Sequence, residues 1–544
     1  MFDSSARFSR SAVKDISRSL FDRSNSLVTS FSAGKLVPIY VDEVLPGDTV
    51  TMDLSFVCRM ATPLYPVMDN AWIDVHWFFV PNRLVWDHWK NFCGESNDPW
   101  DSDVSYSIPV DYYCPMGNNL PGYFGLPVNF SNASTWCAAN ALPRRGYQLI
   151  WNEWYRDQNL QDPILIDKGD TGLGTKGFPQ GSSGAQHQIL PVNKYHDYFT
   201  SCLPAPQKGV SVSIPLVSDQ LVPVNTGAVH ATNNVQLSST SAASGVLFVD
   251  THSTEYHRVW SSGNAGSNLP AASFVPNNLW ADLDGLTGGT INALRQAFAI
   301  QRLLETDARG GSRYRELVKA HFGVDIGDSR VQVPEYLGGC HVPINIMQVV
   351  QQSSTSGEPS PLGETGAMSK TVHQGSMFTK SFVEHGYLFG LVSVRTQHSY
   401  MQGIPRMFNR RSRYDFYWPE LANIGEQAVL AKEIYAVADD DAVFGYQEAW
   451  ADYRYKPNQI TGNMGFMDSL NSEDSLSPWH YADFYKSRPY LSAEWMQETD
   501  ENVARTLAVS STAEFDQFIF NGYFKARWAR PMPLYSIPGL AGHF

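Results

Sequence analysis

Charge is what this 544-residue chain is short of. Lys, Arg, Asp and Glu make up 17% of it, against roughly a quarter in an ordinary globular protein. A monomer of this size normally stays dispersed on charged surface, so the deficit implies surface covered by partners or carried by neutral polar loops. Cysteine is scarce too. Cys58, Cys93, Cys114, Cys137, Cys202 and Cys340 are scattered with no Cys-x-x-Cys pair, which argues against a zinc knuckle or a disulfide framework and predicts buried thiols in a reducing compartment. Long apolar runs are missing. The longest, YLFGLVSV from Tyr387, is far too short to cross a bilayer, and MFDSSARFSRSAVKD has no apolar signal core, so no membrane insertion is expected and folding is placed in the cytoplasm. There is no basic excess either. A net charge of -14 argues against coating duplex nucleic acid with the whole surface and leaves room only for a local basic face.

What is abundant points to strands. Aromatics reach 13%, with 41 Gly and 32 Pro, which favours a mainly β architecture with long loops. From Val50 to Met60 every even position is apolar while Thr51, Asp53, Ser55 and Arg59 take odd ones, the period of a strand with one wet face. Further strands are predicted at Trp72 to Val80, Val342 to Val350, Tyr387 to Arg395 and Arg413 to Trp418. Asn521-Gly522 between aromatic-rich runs predicts a hairpin, and Pro46-Gly47 a type II turn. Helical spacing covers INALRQAFAIQRLLETDAR up to Gly310-Gly311, and a second helix is predicted over Tyr314 to Phe322. In DVHWFFVPNRLVWDHW, from Asp74, Pro81 ends a strand and Asn82 caps a short helix carrying Leu84, Val85 and Trp89. Val75, Trp77 and Phe79 then face one side of the strand, and His76, Phe78 and Val80 the other.

Composition divides the chain. Residues 1–35 are Ser-rich, carry Arg7, Arg10, Lys14, Arg18 and Arg23, and read as a flexible basic arm. Residues 36–544 read as a single domain. Within it, 205–275 holds only five charged residues and reads as an inserted, exposed β-loop region, while 527–544, rich in proline and apolar residues, reads as an extended tail.

Motifs for chemistry are weak. GLGTKG at Gly172 matches a phosphate-loop pattern, but FPQGSSG after it cannot start a helix, so a surface loop is the better reading. No histidine pair has ligand spacing. Carboxylates beside aromatics, such as Glu448 with Trp450, could line a sugar cleft, yet sequence shows no facing pair. Asp439, Asp440 and Asp441 could hold a divalent cation such as calcium; otherwise no cofactor is expected. Arg406, Arg410, Arg411 and Arg413 interleave with Phe408, Tyr414, Phe416 and Trp418. That composition suits single-stranded nucleic acid, an interface hot spot or ordinary packing.

Several longer stretches carry a resemblance. VPIYVDEVLPGDT at Val37, ATPLYPVMDN at Ala61, FFVPNRLVW at Phe78, ETDARGGSRYRE at Glu305, RYDFYWPE at Arg413, FGYQEAWADYRYKP at Phe444 and RPMPLYSIPGL at Arg530 resemble the major capsid proteins of gokushovirus-type microviruses. The resemblance implies an eight-stranded viral jelly-roll β-sandwich with large loop insertions containing short helices, and no enzymatic activity. It also implies self-assembly into an icosahedral T=1 shell around a circular single-stranded DNA genome. Small basic internal proteins, pilot or minor virion proteins and a bacterial surface receptor would be partners, with assembly in the host cytoplasm and 205–275 forming a threefold protrusion for attachment. On this reading Arg7, Arg10, Lys14, Arg18, Arg23 and the 406–413 arginines face the nucleic acid. Trp77, Phe79, Trp86, Trp89, Pro531, Leu534, Tyr535 and Phe544 are expected at contacts between subunits. The competing reading is a carbohydrate-active or carbohydrate-binding β-sandwich, disfavoured by the missing signal peptide and carboxylate pair.

Overall fold

In the computed structural model the chain forms two compact units, 1–208 with 305–544, and 209–304. The structure describes residues 17–95, 106–113, 119–127, 137–173, 187–210, 212, 291–353, 362–363, 365–437, 442–465, 476–508 and 516–535, and six short strands within 224–281.

Eight framework strands lie in the first unit. They are β1 (Ser19–Asp22, resuming as Asn25–Phe31), β2 (Val37–Val44), β3 (Thr49–Met60), β4 (Ala71–Pro81), β5 (Glu335–Pro343), β6 (Thr371–Ser381), β7 (Gly386–Thr396) and β8 (Phe518–Arg530). One sheet runs β1-β8-β3-β6 and the other β5-β4-β7-β2, all neighbours antiparallel. One sheet thus holds β1, β3, β6 and β8 and the other β2, β4, β5 and β7, the connectivity of the expected jelly roll.

Binary pattern explains the sandwich. Met52, Leu54, Phe56 and Cys58 of β3 and Phe520, Phe524 and Trp528 of β8 meet Ile73, Val75, Trp77 and Phe79 of β4 in one core. The Asn521-Gly522 hairpin does not form. β8 runs straight through, with Asn521 outside opposite Val57 and Gly522 inside, where an added Cβ would lie 2.7 Å from the Phe520 ring. Glycine here makes room for neighbouring rings rather than a turn. Gly47, at φ +91°, does make the expected turn after Pro46.

Other boundaries shift for local reasons. The strand expected at 342–350 is two: β5 ends at Pro343, and Ile346–Val350 pairs instead with Thr365–Ser369. Residues 413–418 are not a strand. The Asp415 carboxylate accepts from the backbone N–H groups of Arg411 and Ser412, both at 2.7 Å, and winds Arg413–Asp415 into a 3-10 turn. Asn82 opens a 3-10 turn, Asn82–Leu84, without capping it by its side chain. Helices α1 (Leu142–Ile150), α2 (Ile291–Gly310) and α3 (Tyr314–Phe322) include the two that periodicity predicts.

The arm is shorter than composition suggests. β1 pairs along β8 and packs Phe21, Leu27 and Phe31 on the core, so residues 19–31 are sheet, whereas 1–16 lie outside the described residues. The tail loses 527–530 to β8. In the second unit three antiparallel pairs nest, Val224–Thr226 with Leu279–Ala281, Leu237–Ser239 with Phe274–Pro276, and Leu247–Thr251 with His257–Ser261. This unit is wider than 205–275 because the low-charge signal stops before α2.

The second face of β4 and β7 is covered by the chain itself. Phe78, Val80, Phe389 and Leu391 pack under Val85, Trp86, Tyr147, Ile150 and Trp151, all supplied by the β4–β5 connection. Trp77 and Phe79 sit inside the sandwich and Trp86 inside this second core, so the expectation that these three lie between subunits is corrected. Trp89 is half-buried against the same cluster.

Close packing sets two predictions. At Gly386 an added Cβ would lie 2.4 Å from the Val80 carbonyl oxygen and 2.5 Å from the Phe79 ring, so Gly386→Ala is expected to cost about 1–3 kcal/mol in urea unfolding. Among the described cysteines, Cys58 and Cys202 are buried, Cys137 and Cys340 partly so, and Cys93 is exposed. Burial pushes the Cys58 thiol up to about 12. A thiol reagent counted by mass spectrometry should modify Cys93 in the native chain and reach Cys58 only after unfolding.

Candidate nucleic-acid and assembly surfaces

Two buried polar networks tie the long connections to the framework. His398, just past β7, has Nδ1 3.0 Å from Asp483 and Nε2 2.7 Å from Glu498. Asp483 also accepts from Lys194 at 3.0 Å, Asn502 at 2.6 Å and the Tyr485 hydroxyl at 3.0 Å, and Glu498 from the Thr396 hydroxyl at 2.6 Å. Burial works against a charged imidazole, but Asp483 and Glu498 outweigh it and raise His398 to about 10. In the second network, Asp74 on β4 accepts from Arg395 Nε at 3.1 Å and the Tyr195 hydroxyl at 2.7 Å, and lies 2.5 Å from His341 Nδ1. Burial would raise its carboxyl, yet Arg395 and the hydrogen bonds hold it below the usual range. Neither network was legible in sequence, because their members are separated by tens to hundreds of residues. Neither resembles a catalytic centre either: every charged member is spent on a neighbour.

The arginine-aromatic stretch behaves differently. Arg406 donates to the Ala428 carbonyl at 3.0 Å and lies 3.6 Å from the buried Glu433, whose carboxyl is raised by burial. Arg410 binds Asp452 and lies 4.3 Å above the Tyr453 ring and 5.6 Å from Phe416. Arg413 stacks 4.9 Å over Trp418. Arg411 is exposed, and among the described residues neither Arg411 nor Arg413 has a carboxylate partner. Met407, Phe408, Tyr414, Phe416 and Tyr417 are all exposed, Tyr414 at 74%. Beside them a cavity of about 400 Å³ is lined by Tyr198, Phe199, Tyr400, Arg406, Tyr453 and Tyr455. Within this stretch, among the described residues, Arg406 and Arg410 pair with carboxylates and the side chains of Arg411 and Arg413 do not.

The remaining expected residues are spread out. Arg23 pairs with Asp42 at 2.9 Å and lies 5.2 Å from the Trp528 ring, and Arg18 reaches the Thr49 hydroxyl at 3.4 Å. Arg7, Arg10 and Lys14 lie outside the described residues, as do Asp439, Asp440, Asp441 and Phe544. Among the described residues no three His, Cys, Asp or Glu side chains group as a metal site, and no helix is long and apolar enough to cross a membrane. Pro531 is half-buried, while Leu534 and Tyr535 are exposed.

The profile of the family described as "Capsid protein (F protein)" matches residues 9–540. "Capsid protein VP1" of Bdellovibrio phage phiMH2K is 39% identical, over 97% of this chain and 96% of that protein. "Capsid protein VP1" of Chlamydia phage 1 is 36% identical over 98% and 97%, and that of Spiroplasma virus 4 is 36% identical over 96% of each. With a jelly-roll framework and similarity along nearly its whole length, the chain belongs to the capsid protein (F protein) family of microviruses and is a structural protein of the virion.

Proposed function

We propose that copies of this chain close a T=1 icosahedral shell around a circular single-stranded DNA genome. One observation carries the reading of where copies meet: both faces of the β4–β7 layer are closed by the chain's own residues, while large side chains such as Leu534, at 54%, and Tyr535, at 76%, stay uncovered. Contacts between copies then fall on connections and tail rather than on the β4–β7 layer. Residues 1–16, with Arg7, Arg10 and Lys14, face the packaged strand. The unit 209–304, whose charge-poor sequence is dispersed by hydroxyls and amides, forms an outward protrusion at the threefold axes and meets the bacterial surface. Small basic internal proteins and pilot or minor virion proteins complete the particle, which assembles in the host cytoplasm.

The test is to express the full chain and follow it by light scattering and negative-stain microscopy. Uniform particles, or pentameric precursors that close on adding single-stranded DNA, are the expected result. A monodisperse monomer under every salt and DNA condition would overturn the proposal.

A further inference from the structure

We infer that the arginine-aromatic surface at 406–418 and 453–456 is a binding site for unpaired nucleobases, with a cavity that takes one base out of the stack. The inference rests on the reading that the shell encloses single-stranded DNA, and it divides the arginine cluster by role. Arg406 and Arg410 are structural: Glu433 and Asp452 neutralise them, and the Arg410 guanidinium lies within 4.3 Å of the Tyr453 ring and 5.6 Å of the Phe416 ring. Tyr417 continues the ring surface, 6.3 Å from Tyr453, and Trp418 lies under Arg413. The result is a preset platform of aromatic faces, on which bases stack whatever their identity. Phosphates need free cations, and the side chains of Arg411, Arg413 and Lys456, all exposed, have no carboxylate partner among the described residues. Of these cations Lys456 lines the cavity, which is walled by Tyr198, Phe199, Tyr400, Tyr453 and Tyr455. Its polar lining includes the carboxylates of Asp452 and of Glu433, which accepts from the Tyr198 hydroxyl at 3.0 Å. A second copy of this chain could cover the same rings, but it would not require three unmatched cations on a chain that carries fourteen more acids than bases.

The experiment uses the full-length chain and a fluorescein-labelled thymidine 20-mer, with affinity measured across a salt series. The double variant R411Q/R413Q is expected to weaken binding at least tenfold at low salt and to flatten the slope of log K against log salt by about 1.4, the share of two phosphate contacts on a single strand. Trp418→Ala should weaken binding about tenfold and leave the slope unchanged. An iodouridine-substituted strand should photocrosslink to the peptides holding Trp418 or Tyr453, and duplex DNA should compete poorly. Unchanged affinity and slope in R411Q/R413Q, or crosslinks confined to other peptides, would overturn the site. Particle formation, scored by microscopy on the same samples, separates the two readings. Variants that bind the 20-mer normally but no longer form particles would make this surface a contact between copies. Failure of the unaltered chain to form particles would count against the shell itself.

Discussion

Replacing His398 by leucine is expected to cost about 3–5 kcal/mol of folding stability, because it leaves Glu498 buried with no cation beside it. A typical domain is stable by only about 5–15 kcal/mol, so the variant should express poorly or melt far below the parent. Removing both partners, in H398L/E498L, should recover most of the loss, since apolar replacement of a whole buried pair is often neutral. The same network sets a pH dependence. His398 is raised from 6.5 to about 10 in the folded chain, so its contribution is complete below about pH 6.5 and is lost as pH rises toward 10. Asp483 is shifted the other way: burial would raise its carboxyl, but His398 and Lys194 hold it well below the usual range. Its contribution is present above about pH 4 and fades as pH falls. Urea unfolding of the unassembled subunit from pH 4 to 10 should show the alkaline loss in the parent and a much flatter profile in H398L/E498L. A parent profile flat from pH 6.5 to 10 would refute the account.

Trp77→Ala should be as damaging, and for a reason that separates core from interface. The indole is fully buried, with Tyr40, Phe378 and Phe524 rings centred 5.4, 5.6 and 6.0 Å away. Truncation is expected to remove about 3–5 kcal/mol from the isolated subunit. Trp77→Phe should cost less than about 1.5 kcal/mol, helped by the fact that the buried Nε1–H has no hydrogen-bond partner to lose. Subunits of W77A that unfold like the parent but fail to assemble would return Trp77 to a contact between copies.

These two sites mark the limits of reading the chain from sequence. The strand at 49–60 was legible because one face is wet and the other dry, so every second residue reports its side. β4 and β7 are buried on both faces, and their continuous apolar runs reveal burial without saying what does the burying. The cover from Val85 to Trp151 is a long-range fact, so sequence alone leaves Trp86 looking like a subunit contact. Asn521-Gly522 misled because the dipeptide serves equally in a hairpin and in a strand whose neighbours need room. The arginine-aromatic stretch was legible as composition, but the pairing of Arg406 and Arg410 with distant acids, which decides which charges are free, was not. His398 carried no local signal at all.

The placement of β8 bears on when a subunit can exist. This strand, residues 518–530, is the last of the eight to be synthesised, yet it lies between β1 and β3 and pairs with both. Until the ribosome has delivered it, two framework strands have unsatisfied edges and the inner rings of Phe520, Phe524 and Trp528 are absent from the core. A nascent chain therefore cannot finish the sandwich in stages, and its closing contacts span nearly five hundred residues, a topology that folds slowly. Translation through β8 thus acts as a gate on construction: only a chain that includes this strand has the rigid framework from which its outward-facing connections can be presented to a neighbour.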